Sequence, residues 1–319
     1  MLAGCSLIPT YERPSAPVPA AWSSPPADPA KAVAVTADWW QHFQSPELDR
    51  MMDQALAYNQ DIAAAIARID QARAAVRIAG STLLPSVEGT GTTSEDWVHS
   101  HHSWNAGNSN QVAVTANYEL DLWGKNRAGV KSAKASLTSS IYDHDALALV
   151  VQSEVATTYF QVVALKERLK IAQDNLAAAR QVEHLVEVQL QQGAATALDL
   201  AQQSSAVATF EAQLPQFEQQ IEAAESALAI LLGQAPSSNM VQANQLESIP
   251  LPAVAAGQPS DLLERRPDIR KAEADLLAAN ANIGVARAEF YPSVTLSAAA
   301  AVSGIATSGT SAIASLAAG

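Results

Sequence analysis

Two spacings of apolar residues divide the chain. From 60 to 83, Ile62, Ile66, Ile69 and Val76 recur every three or four positions with alanines between them, which gathers one face of an α-helix. Pro85 stops that helix, because it offers no amide hydrogen and its ring crowds the preceding turn. The period then drops to two: Val87, Gly89 and Gly91 point one way, and Ser86, Glu88, Thr90 and Thr92 the other. Residues 95 to 110 read as a loop, with Asn105, Gly107, Asn108, Asn110 and several serines. The clearest strand follows. Val112, Val114, Ala116, Tyr118, Leu120 and Leu122 alternate with Gln111, Ala113, Thr115, Asn117, Glu119 and Asp121. About twelve residues is the length that crosses a bilayer when tilted. An edge strand of a soluble sandwich alternates in the same way, so alternation alone leaves both open.

From 125 to 191 there is no proline and, after Gly129, no glycine. Val151, Val155, Thr158, Val162, Leu165, Leu169, Ala172, Leu176, Ala179, Glu183, Val186 and Leu190 form a heptad seam along it. A helix of that length would measure roughly 100 Å, more than a globular domain accommodates. Gly193 to Thr196 then reverses the chain, and Leu200, Val207, Leu214, Ile221 and Leu228 recur every seven residues along a returning helix to about Leu232. Pro215 should bend that helix, and Gly233, with Pro236 beyond it, should end it. The pair reads as an antiparallel coiled-coil hairpin with unequal arms. A shorter helix is expected from 45 to 59, with Ser45 as cap and Pro46 in the first turn.

Residues 61 to 87 and 268 to 294 match without a gap at an offset of 207, with ten of 27 positions identical, including Asp61/Asp268, Ile62/Ile269 and the ends Pro85-Ser86-Val87 and Pro292-Ser293-Val294. Both copies pass from helix to strand at the same proline, and Val294, Leu296, Ala298, Ala300 and Val302 alternate after it. So long a repeat indicates tandem duplication of a whole unit. By that symmetry the natural chain should continue for on the order of 150 residues. A membrane sheet has to close, the smallest barrels need about eight strands, and a complete chain would offer four, so several chains must share one barrel. These 319 residues alone are not expected to conduct.

Composition sharpens this. The chain is 48% hydrophobic but only 5% aromatic, so alanine dominates the apolar count and favours close-packed helices. A net charge of −13 argues against nucleic acid as a partner. There is no run of 18 apolar residues, so strands rather than a helix are expected to cross any bilayer. The single cysteine excludes an intrachain disulfide. It lies in Leu2-Ala3-Gly4-Cys5, whose small residues resemble the lipobox of bacterial lipoproteins, where the thiol receives diacylglycerol; the basic and apolar parts of a signal peptide are expected upstream of Met1. The prolines from Pro9 to Pro29 read as an extended tether laid over a surface.

Tyr118-Glu119-Leu120-Asp121-Leu122-Trp123-Gly124-Lys125 and Glu264-Arg265-Arg266-Pro267-Asp268-Ile269 resemble the TolC-like outer membrane factor family, in its OprM-type (NodT) lipoprotein branch that serves RND efflux pumps. Phe290-Tyr291-Pro292-Ser293, Leu231-Leu232-Gly233 to Pro236, Cys5 and the segment from Tyr11 to Trp22 fit as well, so the resemblance covers the whole chain. It implies a mainly α protein with transmembrane strands: long antiparallel coiled-coil hairpins beneath a 12-stranded β-barrel shared by a homotrimer, anchored in the bacterial outer membrane by diacylglycerol and palmitate on Cys5 and extending into the periplasm. It also implies a passive exit duct for small molecules, docked on a periplasmic adaptor protein and an inner-membrane RND transporter. The adaptor-facing tip would include Gly193, Thr196, Leu198 and Asp199; family members often carry an arginine just before that glycine, where this chain has Gln189. Acidic gate residues would lie in a second hairpin downstream.

The expected divisions are a lipidated Pro-rich tether (1–40), a short helix and the first repeat helix (41–84), the first β-hairpin of the barrel (85–123), the long helical hairpin (124–233), an irregular connector (234–260), the second repeat helix (261–291), and a third strand with the end of the chain (292–319). On the second strand, Val112, Val114, Tyr118 and Leu120 would face lipid, and Thr115, Asn117, Glu119 and Asp121 the lumen. His99, His101 and His102 read as a solvated loop, since no spacing fixes a coordination geometry. Glu119 and Asp121 fit a polar lumen better than an acid–base pair. No nucleophile motif or phosphate loop is present, and no enzyme, metal or cofactor beyond the lipid is expected. Two other readings stay open: a coiled-coil outer membrane lipoprotein without a pore, and the outer membrane component of a type I protein secretion system.

Overall fold

A computed structural model describes residues 7–15, 17–19, 36–100, 103–236, 241–254 and 259–306. It divides into two units. One holds residues 17–67 and 143–267, the other 1–16, 68–142 and 268–319.

The first unit is helical. Helix α1 (Pro46–Tyr58) starts as expected, with Ser45 Oγ accepting from the Leu48 amide at 3.3 Å and Pro46 in the first turn. Asn59 passes the chain to α2 (Gln60–Ser81): its Oδ1 accepts from the amides of Asp61 and Ile62, and its Nδ2 donates to the Leu231 carbonyl at 2.9 Å. The seam read from the sequence lies on α3 (Lys125–Gln191), one uninterrupted helix of 67 residues. Val151, Val155, Val162, Leu165, Ala172 and Leu176 are buried, and Ala179, Glu183, Val186 and Leu190 stay partly covered toward the turn. The return is two helices, α4 (Ala197–Glu211) and α5 (Leu214–Leu231), because Pro215 cannot donate to the turn before it. Arg180 to Glu211 (2.7 Å) and Ser204 to Glu183 (2.6 Å) tie the arms in antiparallel register.

A core forms where α1, the start of α2, α3, α5 and the connector converge. Leu48, Met52, Val155, Tyr159, Val162, Val163, Leu228, Leu232 and Val241 are its most enclosed members. Part of α3 is apolar and long enough to cross a membrane by composition, against the expectation that no helix would be. In this fold Val151, Val155, Val162 and Val163 have protein partners instead. Burial pushes the Tyr159 phenol above its ordinary pKa, and its hydroxyl bonds Ser45 Oγ at 3.0 Å and Glu47 at 3.2 Å. Glu47 also accepts the amides of Gln242 (2.6 Å) and Ala243 (3.2 Å), which straps the connector to the core. Lys166 pairs with buried Glu225 at 2.9 Å and donates to the Val241 carbonyl.

The second unit carries an antiparallel sheet in the order β1-β2-β3. Strand β1 (Ser86–Ser100) and β2 (Ser103–Leu120) form a long hairpin, and β3 (Val294–Ala306) pairs with the other edge of β2. Residues 95 to 110, read as a loop, are largely strand: the register runs unbroken from Ser86↔Asn117 to Ser100↔Ser103. The segment is polar on both faces, so it has no alternation to announce it, but its backbone groups pair across the hairpin. Thr93 Oγ1 donates to Asn110 Oδ1 at 2.6 Å, and Ser94 and Ser109 meet at 2.6 Å. A four-residue helix, α6 (Leu262–Arg265), precedes α7 (Pro267–Ala288), whose bounds are those of α2 displaced by the same 207 residues at both ends. The N-terminal segment lies along α7. Ile8 rests on Gly284, the Pro9 carbonyl accepts from Asn280 Nδ2 at 2.9 Å, and Arg13 pairs with Glu273 at 2.9 Å.

Gly233 and Gly193 both end helices with φ near +70° (+68° and +72°), where a side chain is strained. Their surroundings differ. A Cβ on Gly233 would lie 2.2 Å from the Tyr58 carbonyl oxygen, whereas one on Gly193 would meet nothing within 4 Å. Gly233→Ala should therefore cost about 3 kcal/mol or more, from strain plus backbone overlap, and Gly193→Ala about 1 kcal/mol from strain alone. Thermal unfolding followed by circular dichroism checks the ranking; equal losses would refute it.

Candidate membrane-spanning sheet and helical tip

Partners directly opposite in a sheet share a face. The observed register therefore gathers Val87, Gly89 and Gly91 of β1, Val112, Val114, Ala116, Tyr118 and Leu120 of β2, and Val294, Leu296, Ala298, Ala300 and Val302 of β3 on one side. The other side holds Glu88, Thr90 and Thr92, then Gln111, Ala113, Thr115, Asn117 and Glu119, then Thr295, Ser297, Ala299, Ala301 and Ser303. The apolar side is bare: Val112, Val114, Leu296 and Val302 are 63, 48, 56 and 58% exposed. A contiguous apolar face of that extent marks a surface built for lipid or for another protein.

The face is also bounded. From Val112 to Leu120 it runs roughly 27 Å along the strand at ~3.3 Å per residue, or about 20 Å in height at a tilt near 40°. Beyond Val112 the same side passes to Asn110 and Asn108, with Thr93 and Glu95 opposite them. At the other end Trp123 stacks on Tyr291 at 4.7 Å and donates its indole N–H to the Pro292 carbonyl at 2.9 Å. An apolar band closed by aromatic rings on one side and polar strand extensions on the other is the profile of a lipid-facing barrel wall.

Val112, Val114, Tyr118 and Leu120 thus share the apolar face, and Thr115, Asn117 and Glu119 the polar one. Asp121 does not belong with them. It lies past the last strand residue, and its carboxylate accepts from the amides of Asn126 and Arg127 at 3.0 Å each and pairs with the Arg127 guanidinium at 3.0 Å. Four amides at a helix start lack partners, and Gly124 (φ +79°) has no side chain to satisfy them, so Asp121 does so. An acidic residue just before a long helical pattern was the available signal. Glu119 is held by Lys125 at 2.7 Å, a pairing that alternation did not reveal. Cys5, His101 and His102 lie outside the described residues, as does the His99 side chain.

At the far turn, Gly193 closes α3 through bonds from its own amide to the Leu190 carbonyl and from the Ala194 amide to the Gln189 carbonyl. Thr196 opens α4 in a reciprocal cap: Asp199 accepts from the Thr196 amide (2.8 Å) and hydroxyl (2.7 Å), while the Asp199 amide donates to Thr196 Oγ1. These three residues shape the turn, and Leu198, 66% exposed, is the apolar side chain it presents.

A family model for the outer membrane efflux protein matches residues 51–234 and 258–317. The chain belongs to that family. It is 44% identical to the pyoverdine export outer membrane protein OpmQ of Pseudomonas aeruginosa over 82% of its own length and 57% of the relative's. It is 35% identical to the toluene efflux pump outer membrane protein TtgC of Pseudomonas putida over 93% of its length and 63% of the relative's. It therefore spans about three fifths of the length of these relatives. The solved structure of the outer-membrane channel OprN superposes with a TM-score of 0.80 at 27% identity, covering 95% of this chain and 73% of that one. The family is one of outer membrane channels, not enzymes.

The Thr196 hydroxyl and amide hold the Asp199 carboxyl below its ordinary pKa. A depressed folded value means that the cap is complete above the ordinary carboxylate range and is lost as pH falls through the folded value. Carbon NMR of labelled Asp199 should give a midpoint below that range, and Thr196→Ala should return it there. A midpoint unmoved by the substitution would show that the cap does not hold the carboxylate.

Proposed function

We propose that this protein is a subunit of an outer membrane exit duct, a passive conduit for small molecules expelled from the cell. The carrying observation is the sheet: one side is a bare apolar band of bilayer height, the other is lined by Glu88, Thr90, Thr115, Asn117 and Thr295. Lipid tolerates the first only if the sheet edges are paired, so copies of the chain must close a common barrel around the second. The reading is of a homotrimer with 12 strands, continued into the periplasm by the α3–α5 hairpins.

Cys5 carries the lipid anchor in this reading, and the turn at Gly193 to Asp199, with Leu198 outward, meets a periplasmic adaptor bound to an inner-membrane RND transporter. Relatives named for exporting pyoverdine and for expelling toluene share no obvious chemistry of cargo. That supports a duct that does not select, with selection left to the pump.

The full-length protein reconstituted in planar bilayers should give discrete conductance steps. Val114→Arg puts a cation on the lipid side, costs about 2–4 kcal/mol per strand near mid-membrane, and should abolish insertion. Thr115→Arg, on the lumen side, should insert and change only the conductance. Equal damage from both would defeat the assignment of faces. Mass spectrometry of the membrane-extracted protein should find acyl chains on the Cys5 peptide.

A further inference from the structure

The two repeat helices match at both ends, yet only α7 carries the N-terminal segment. Gly284, Asn280 and Glu273, which Ile8, Pro9 and Arg13 contact, lie on one stripe of α7 at spacings of four and seven. The equivalent stripe of α2 holds Arg77, Arg73 and Ile66. All three positions differ, although the surrounding helices keep Asp61/Asp268, Ala72/Ala279 and Ala79/Ala286. The fit at Gly284 is steric: a Cβ there would lie 2.5 Å from Ile8 Cγ1 and 3.0 Å from its Cα. An arginine at that place would exclude the segment altogether.

The direction of the contacts gives the stripe a purpose. As the segment is followed backward from Arg13 to Ile8, its partners climb α7 toward the helix end that leads to β3. From Gly284 to the end of α7 is about 6 Å at ~1.5 Å per residue, with the Trp123–Tyr291 stack just beyond. The three residues from Ile8 back to Cys5 span at most ~10 Å. The two lengths match.

We infer that the Glu273–Asn280–Gly284 stripe of α7 is a docking track for the N-terminal segment, which sets the depth of the Cys5 anchor at the aromatic edge of the apolar band and distinguishes the second repeat helix from the first. The role in anchoring rests on the lipid reading of Cys5; the track itself does not.

Hydrogen exchange of the full-length protein in detergent separates them. Residues 7–15 should be protected in the wild type, and Gly284→Leu should lower that protection by roughly tenfold or more while the Val155–Tyr159 core region exchanges as before. Arg77→Ala on α2 should change nothing. Glu273→Arg should give a smaller loss, recovered when combined with Arg13→Glu. Cys5→Ser should leave residues 7–15 protected, because α7 rather than lipid holds them. Retained protection in Gly284→Leu, or its loss in Cys5→Ser, would overturn the track. Absence of acyl chains on Cys5 with the track intact would overturn only the anchor.

Discussion

A slip of one residue between β2 and either neighbour would turn Val112, Val114 and Leu120 among the polar side chains and Thr115 and Asn117 among the apolar ones. Register is thus what the whole membrane part depends on, and it is fixed from outside the apolar band. Above it, Thr93–Asn110 and Ser94–Ser109 pin the hairpin. Below it, Asp121 locks the end of β2 to the first turn of α3, and Trp123 binds β2's exit to the entry of β3 through Tyr291 and Pro292. Inside the band the pairs are Gly–Val, Val–Ala and Ala–Ala, which slide easily. Polar hydrogen bonds can hold register only where they do not have to face lipid.

The helical unit solves a different problem. A helix of 67 residues cannot bury itself, and its seam needs a partner along the full length. The returning arm supplies one up to the turn, and the core around Tyr159, Leu48 and Leu228 supplies more at the near end. Within that core the charged groups serve the backbone. Glu47 takes two amides of the connector and Lys166 takes its Val241 carbonyl, so an irregular segment is held without a strand or helix of its own. The Lys166–Glu225 pair is poor evidence of stability, since desolvation offsets most of its attraction. Its geometry serves to position the connector.

Duplication explains why the two repeat helices look alike, and the tether explains where they stopped being alike. Both copies keep a proline where helix becomes strand, because each must stop one backbone pattern and begin another at that point. They part at the positions under Ile8, Pro9 and Arg13, where one N-terminus per chain can cover only one helix.

Much of this was legible without coordinates, because hydrophobic period reports the local backbone directly. It gave the helix from 125 to 191 to the residue, the Ser45 and Gly233 caps, the break near Pro215, the repeat and its offset, and the two faces of β2 from Val112 to Leu120. The outer half of the β1–β2 hairpin was not legible, because a strand with water on both sides has no alternation and its Asn and Ser content imitates a loop. Asp121 was miscounted for the opposite reason: Leu122 prolongs the alternation, and only the positive φ at Gly124 and the open amides of α3 claim the carboxylate. Which surface the proline-rich tether covers was also beyond the sequence, since a glycine in a helix reads as a weak helix former until Ile8 is seen lying on it. Period and composition determined what each segment is; the tertiary structure decided which segments meet, because hydrogen bonds across a sheet and steric fit between distant residues leave no trace in the order of neighbours along the chain.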